Sequence, residues 1–298
     1  MSTKWQRGES NLEGIVILLV IIMVIIISPK NDPSDSYQGH DPEATISSSG
    51  SFEILLSTGN ASYSYQPYEE YVTIENLGRA AVNITGWQLK NGKDERIYYL
   101  GGQLQRFSAD VAVIPQASVF LLPSGNSFLQ DIILSSGERA VVTTGSIGVR
   151  SPYNITSFKE NKCTGYIDVL PEYTFTPSLS RNCPRPEFEP GIEGLDTQCR
   201  TFIRRLNSCG TPVFEAKDRN GEPCDTCIKN ERLSSPCAAF IKEHFSYRGC
   251  IAYHAGDQNF SGKTWRIFLD RKWEMWAKDY ETIELFDRFG QLMSFRNY

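Results

Sequence analysis

The chain has 298 residues, of which 40% are hydrophobic, 12% aromatic and 22% charged. That composition supports one or two cores of ordinary size and excludes a largely disordered chain. The formal net charge is −5 and no Lys/Arg stripe is present, which argues against nucleic acid as a partner.

In chain order, the first signal is residues 14–27, GIVILLVIIMVIII, a run with no polar side chain. A spanning helix takes roughly 20 apolar residues, and Leu12 and Ser28 extend the run into a transmembrane helix over residues 11–28. Lys4 and Arg7 precede it, and Asp32 and Asp35 follow. The positive-inside bias therefore predicts a cytoplasmic N-terminus over residues 1–10 and an extracytoplasmic remainder. The following IIISPKND offers no small-x-small cleavage site, so the run reads as an uncleaved, single-pass signal-anchor in the cell membrane. A second reading turns on Gly8 and Glu13. A basic leader ending in Gly, then Glu at the fifth position after it, then an apolar helix, resembles the type IV prepilin signal. That resemblance implies processing after Gly8 and self-association into a filament. Residues 29–50 are rich in Pro, Ser, Asp and Gly and predict a flexible linker, with His40 exposed in it.

From residue 51 the hydrophobic period changes to two. Strands are predicted over residues 52–57, 70–76, 86–90, 96–99, 118–122, 131–134 and 140–144. Turn signals separate them at Asn76-Leu77-Gly78, Asn91-Gly92, Pro123-Ser124-Gly125 and Ser136-Gly137. Many short strands at regular spacing predict an all-β sandwich or barrel. In YVTIENL, Val72 and Ile74 face one way while Tyr71, Thr73 and Glu75 face the other.

Residues 70–89 read EYVTIENLGRAAVNITGWQL. Glu70-Tyr71-Val72, then Asn76 and Gly78, then Val82-Asn83-Ile84-Thr85-Gly86-Trp87, resemble the lamin-tail domain, specifically the membrane-anchored bacterial and archaeal type with a cysteine-rich insert. The resemblance implies an immunoglobulin-like β-sandwich. Gly78 is expected at a hairpin position with positive φ, Gly86 at the turn into the next strand, and Trp87 in the core. Residues 114–122 and 132–143 resemble later strands of that family. ETIELFDRFGQLMSFRNY at the chain end resembles its closing hairpin, with Asp287 and Gly290 in the turn. The sandwich is thus expected over residues 51–148 and 262–298, with an insert at 149–261 and a returning strand at 265–269.

All eight cysteines fall in that insert: Cys163, Cys183, Cys199, Cys209, Cys224, Cys227, Cys237 and Cys250. Outside the membrane they are expected to pair, in a connectivity that spacing leaves open. Helices are predicted over residues 196–206, capped by Asp196, and 235–245, capped by Ser235. Residues 173–189, with Pro177, Pro184 and Pro186, read as an extended arm. Cys224-Asp225-Thr226-Cys227 with Cys237 and Cys250 leaves a metal-binding alternative open. No thioredoxin-like βαβ context surrounds this C-x-x-C.

Catalytic motifs are missing: there is no Walker loop, G-x-S-x-G or H-E-x-x-H. Of the histidines, His244 is placed on a helix face beside Phe245, and His254 in a loop near Asp257 without a third group. Sequons occur at Asn60, Asn83, Asn154 and Asn259, and Asn83 reads as structural. The expectation is a non-enzymatic module without cofactor, acting on an envelope protein or polymer. The prepilin-like and metal-binding readings stand as alternatives.

Overall fold

The computed structural model describes residues 53–93, 97–106, 108–121, 128–147 and 153–298. The expected transmembrane helix, the linker, Gly8 and Glu13 lie outside them. Among the described residues no helix is long and apolar enough to cross a membrane.

The strands are β1 (Ile54–Ser57), β2 (Tyr71–Asn76), β3 (Val82–Asn83), β4 (Gln88–Asn91), β5 (Ile97–Leu100), β6 (Gln103–Arg106), β7 (Val111–Val113), β8 (Ala117–Ser118), β9 (Leu129–Gln130), β10 (Ile133–Leu134), β11 (Arg139–Thr143) and β12 (Phe158–Asn161). They continue with β13 (Glu215–Lys217), β14 (Pro223–Ile228), β15 (Glu231–Arg232), β16 (Ser261–Phe268), β17 (Thr282–Phe286) and β18 (Leu292–Asn297). The helices are α1 (Gly165–Asp168), α2 (Thr197–Ile203), α3 (Ser235–His244) and α4 (Tyr247–His254).

The protein is mainly β. A seven-stranded sheet runs β1-β2-β11-β16-β12-β8-β9, and a four-stranded sheet runs β18-β17-β4-β7. Alternation sets each face: Val72 and Ile74 of β2 are buried while Tyr71, Thr73 and Glu75 are half-buried. One apolar cluster takes Val72, Ile74, Val142 and Ile267 from the larger sheet and Leu89 and Leu285 from the smaller, with Trp87 among them.

β16 is buried on both faces from Thr264 to Phe268. Trp265 and Ile267 join the inter-sheet cluster. Phe268 joins a second cluster with Phe158, Tyr166 and Tyr247 of the insert. A strand covered on both sides reads as a continuous buried run rather than an alternation. β11 pairs antiparallel with β2 and parallel with β16.

Several boundaries differ from expectation. β12 falls within the expected insert, yet it pairs antiparallel with β16 and parallel with β8, so it belongs to the larger sheet. The strand expected over residues 118–122 stops at Ser118, because the Leu121 amide donates to the Tyr247 hydroxyl at 3.1 Å instead of a ladder partner. Gly78 is not among the positive-φ residues. Its amide donates to Asn76 Oδ1 at 3.0 Å, closing an Asx turn that needs no left-handed residue. Gly86 and Gly290 do adopt positive φ, 81° and 83°. Asp287 accepts from the Phe289 and Gln291 amides across the closing turn, both at 2.8 Å.

Two buried charges join distant segments. The Glu70 carboxylate is fully buried and accepts from the amides of Met275 (2.8 Å) and Trp276 (3.3 Å). Arg266 on β16 donates from Nε to Glu160 of β12 and from its terminal nitrogens to the carbonyls of Pro177 (2.7 Å) and Ser178 (2.8 Å). Glu160 also accepts from the Ser180 amide at 3.1 Å. The proline-bearing arm is thereby fastened to the sheet, and its Tyr173, Phe175 and Leu179 are buried.

Burial pushes the Glu70 carboxyl above the ordinary glutamate range. The folded state then holds this proton more tightly than the unfolded chain, so stability declines as pH rises from the ordinary range through the raised value. Glu70→Gln should remove that decline, read as a flatter plot of urea midpoint against pH. Glu70→Ala strands two amides and should cost about 2–4 kcal/mol in urea unfolding. Arg266→Met leaves Glu160 buried and unpaired and should cost about 3–5 kcal/mol, whereas Arg266→Met with Glu160→Met should recover much of that loss.

Candidate functional site

Disulfides organise the insert. Cys163–Cys250, Cys183–Cys209, Cys199–Cys237 and Cys224–Cys227 use all eight sulfurs, so no thiolate remains to ligate a metal, contrary to the metal-binding alternative. The first three bridge sequence separations of 87, 26 and 38 residues; the fourth bridges 3. In the chain-entropy account, closing the longest loop stabilises by about 4.5 kcal/mol and the shortest by about 2.

Cys199–Cys237 ties together two capped helix starts. Asp196 accepts from the Cys199 amide at 2.8 Å and from the Ser234 hydroxyl at 2.6 Å. Ser234 accepts from the Cys237 amide at 3.3 Å. The cap of α3 is therefore Ser234, not Ser235 as the sequence suggests. With Pro236 inside the first turn, either serine fits the pattern. Hydrogen bonds from Ser234, then from the Cys199 amide, hold the Asp196 carboxyl below the usual range.

Between the arm and the last two helices lies a cluster of buried titratable groups. Glu189, 2% exposed on its side chain, sits 3.2 Å from His244 Nδ1 and 3.3 Å from His254 Nε2. His254 Nδ1 is 2.9 Å from Asp257, whose carboxylate also pairs with Lys162 at 2.7 Å. His254 ends α4 rather than lying in a loop. The His244 ring is stacked between Phe240 (centroids 3.9 Å) and Tyr253 (3.8 Å). Each ring nitrogen of His254 thus faces a carboxylate oxygen.

The sequence pairs His254 with Asp257 but misses Glu189. Glu189 lies 55 and 65 positions from its two histidines, and the surrounding PEFEP gives no local sign of a partner. Among the described residues no group of three or more His, Cys, Asp or Glu is arranged to hold a metal ion.

A polar cleft of about 510 Å³ opens nearby where arm and sheet meet, lined by Arg139, Lys162, Ser180, Asn182, Lys263 and Thr264 among others. Its cations and amides suit an anionic or hydroxyl-rich ligand.

The residues singled out in the sandwich serve architecture. Glu70 and Asn76 are buried hydrogen-bonding hubs, Gly86 and Gly290 turn the chain, and Trp87 packs in the core. Of the sequons, Asn60 uses its amide on Glu69 and Tyr71, and Asn83 uses its own on Asp131 and Thr85; Asn259 is exposed. No protein-family model, curated protein or solved structure matches the chain.

Lys162, then His254, hold the Asp257 carboxyl below its ordinary range. His254→Gln should let that carboxyl titrate at higher pH, followed by carboxyl-carbon NMR; an unmoved Asp257 would mean that Lys162 alone sets it.

Proposed function

We propose that this chain is a membrane-anchored, extracytoplasmic, non-catalytic binding or structural module of the cell envelope, built on an immunoglobulin-like β-sandwich of lamin-tail type. The observation that carries this reading is the pairing of all eight cysteines. Such a framework persists outside the reducing cytosol, on the side of the membrane to which the charges around residues 14–27 assign it.

The lamin-tail assignment rests on the Glu70–Trp87 motif, and the local geometry gives its residues reasons to be there. Glu70 caps a distant segment, Asn76 closes the Asx turn, Gly86 takes positive φ and Trp87 fills the space between the sheets. Contact surface is available on the β5–β6 hairpin, where Ile97, Tyr99 and Leu104 are exposed. The partner in this reading is an envelope protein or polymer, met through that hairpin or through the cationic cleft.

The prepilin-like motif at Gly8 and Glu13 supports a second reading, a filament subunit with the sandwich as its head. Intact-mass and N-terminal peptide mass spectrometry on protein taken from its native membrane, with and without reductant, separates the two. An intact N-terminus and no alkylatable thiol are expected. A mature chain beginning at Glu9 would move filament assembly to first place. Eight free thiols without reductant would overturn the extracytoplasmic assignment.

A further inference from the structure

We propose that the Cys224–Cys227 disulfide is a thiol–disulfide exchange site, accepting two electrons from a dithiol partner, while the other three disulfides are structural.

Three observations separate this bridge from the rest. First, it spans 3 positions within one strand, β14, and fastens no second element. Second, the other six cysteines all belong to packed apolar clusters, Cys163, Cys183, Cys209 and Cys250 to one and Cys199 and Cys237 to another. Cys224 and Cys227 belong to neither, although both are buried. Third, Cys224 lines an open cleft of about 540 Å³ together with Phe214, Glu215, Asp225 and Lys242. The bridge is thus approachable from one side at Cys224, with Cys227 fully buried behind it.

The strand also changes shape around it. Glu215 pairs with Cys227 and Lys217 with Pro223, so a two-residue step on β13 faces a four-residue step on β14. The bridge closes this bulge and brings the two Cα atoms to 5.6 Å, where an extended strand would separate them by roughly 10 Å. Opening it frees β14 to lengthen. Lys242 of α3 sits over the Phe214 ring at 4.4 Å and reaches the Asp225 carbonyl at 3.3 Å.

The exchange balances as follows. A partner thiolate attacks Cys224 Sγ, forming a mixed disulfide and releasing the Cys227 sulfur, which takes a proton from solvent. The partner's second thiolate attacks its own sulfur in the mixed disulfide and releases Cys224, which is protonated in turn. The partner leaves oxidised by two electrons, and the chain holds two thiols. The reverse sequence, in which the chain's two thiols reduce a partner disulfide, restores the Cys224–Cys227 bridge.

The test uses the full chain, purified without reductant and exposed to graded dithiothreitol under native conditions. The reaction is quenched with acid and alkylated, and each cysteine is read by peptide mass spectrometry. Cys224 and Cys227 should label at a dithiothreitol concentration about tenfold or more below that opening any other bridge, with the far-ultraviolet circular dichroism retained. Simultaneous opening of all four, or earlier opening of another bridge, overturns the proposal. A second measurement compares Cys227→Ser with Cys224→Ser, using oxidised glutathione as the probe. Cys224 should form the mixed disulfide several-fold faster than Cys227; equal or reversed rates overturn the assignment of Cys224 as the attacked sulfur. The reduction series on the native sequence stands even if a variant fails to fold.

Discussion

The Arg266 guanidinium is the joint on which the two halves of this protein turn. It lies on the strand that the larger sheet shares with the insert, 4% exposed on its side chain, and a charge so placed persists only with its donors occupied. Its three partners come from two places: the carboxylate of Glu160 on the neighbouring strand, and the carbonyls of Pro177 and Ser178 on the arm. One face of β16 therefore closes the sandwich with Trp265 and Ile267 while the other grips the insert through Arg266 and Phe268. The clusters around Trp87 and around Tyr247 are different cores, yet they meet across this one strand.

Within the sandwich, what the sequence reveals is what local chemistry dictates. The alternation of β2 sorts its side chains as the period of two requires. Gly86, Gly290 and Asp287 carry turn signals that the backbone obeys, and in the insert Asp196 likewise caps the helix it precedes. These features depend on neighbours within a few positions. Strands of two to four residues, such as β3, β8 and β10, carry too little pattern to be bounded from sequence. They end where a side chain intercepts the ladder, as Tyr247 does at Leu121 and Thr85 at Ile132.

The insert shows the complementary failure. β12 reads FKEN and has no apolar alternation, but it becomes a sheet strand because its neighbours β16 and β8 present matching edges. Glu189 finds His244 and His254 only after the arm has been laid against the last two helices. The arm, expected to run extended, holds a 3-10 turn at Pro186–Phe188, and its buried Tyr173 and Phe175 make it part of a core. Non-local pairings of this sort leave no periodic trace, and disulfide connectivity belongs to the same class.

The parallel register of β11 on β16 has a consequence for how the molecule comes into being. Arg139 to Thr143 align with Thr264 to Phe268, so the middle of the larger sheet is completed by chain made well over a hundred residues later. Such a contact has a high loop-closure cost and forms slowly. During synthesis β11 stands as an unpaired edge, open to wrong partners. The intervening cysteines have that same interval in which to find one another. The order of emergence thus favours an insert that sets first and a larger sheet that closes around it when β16 arrives, with β17 and β18 following to complete the smaller sheet.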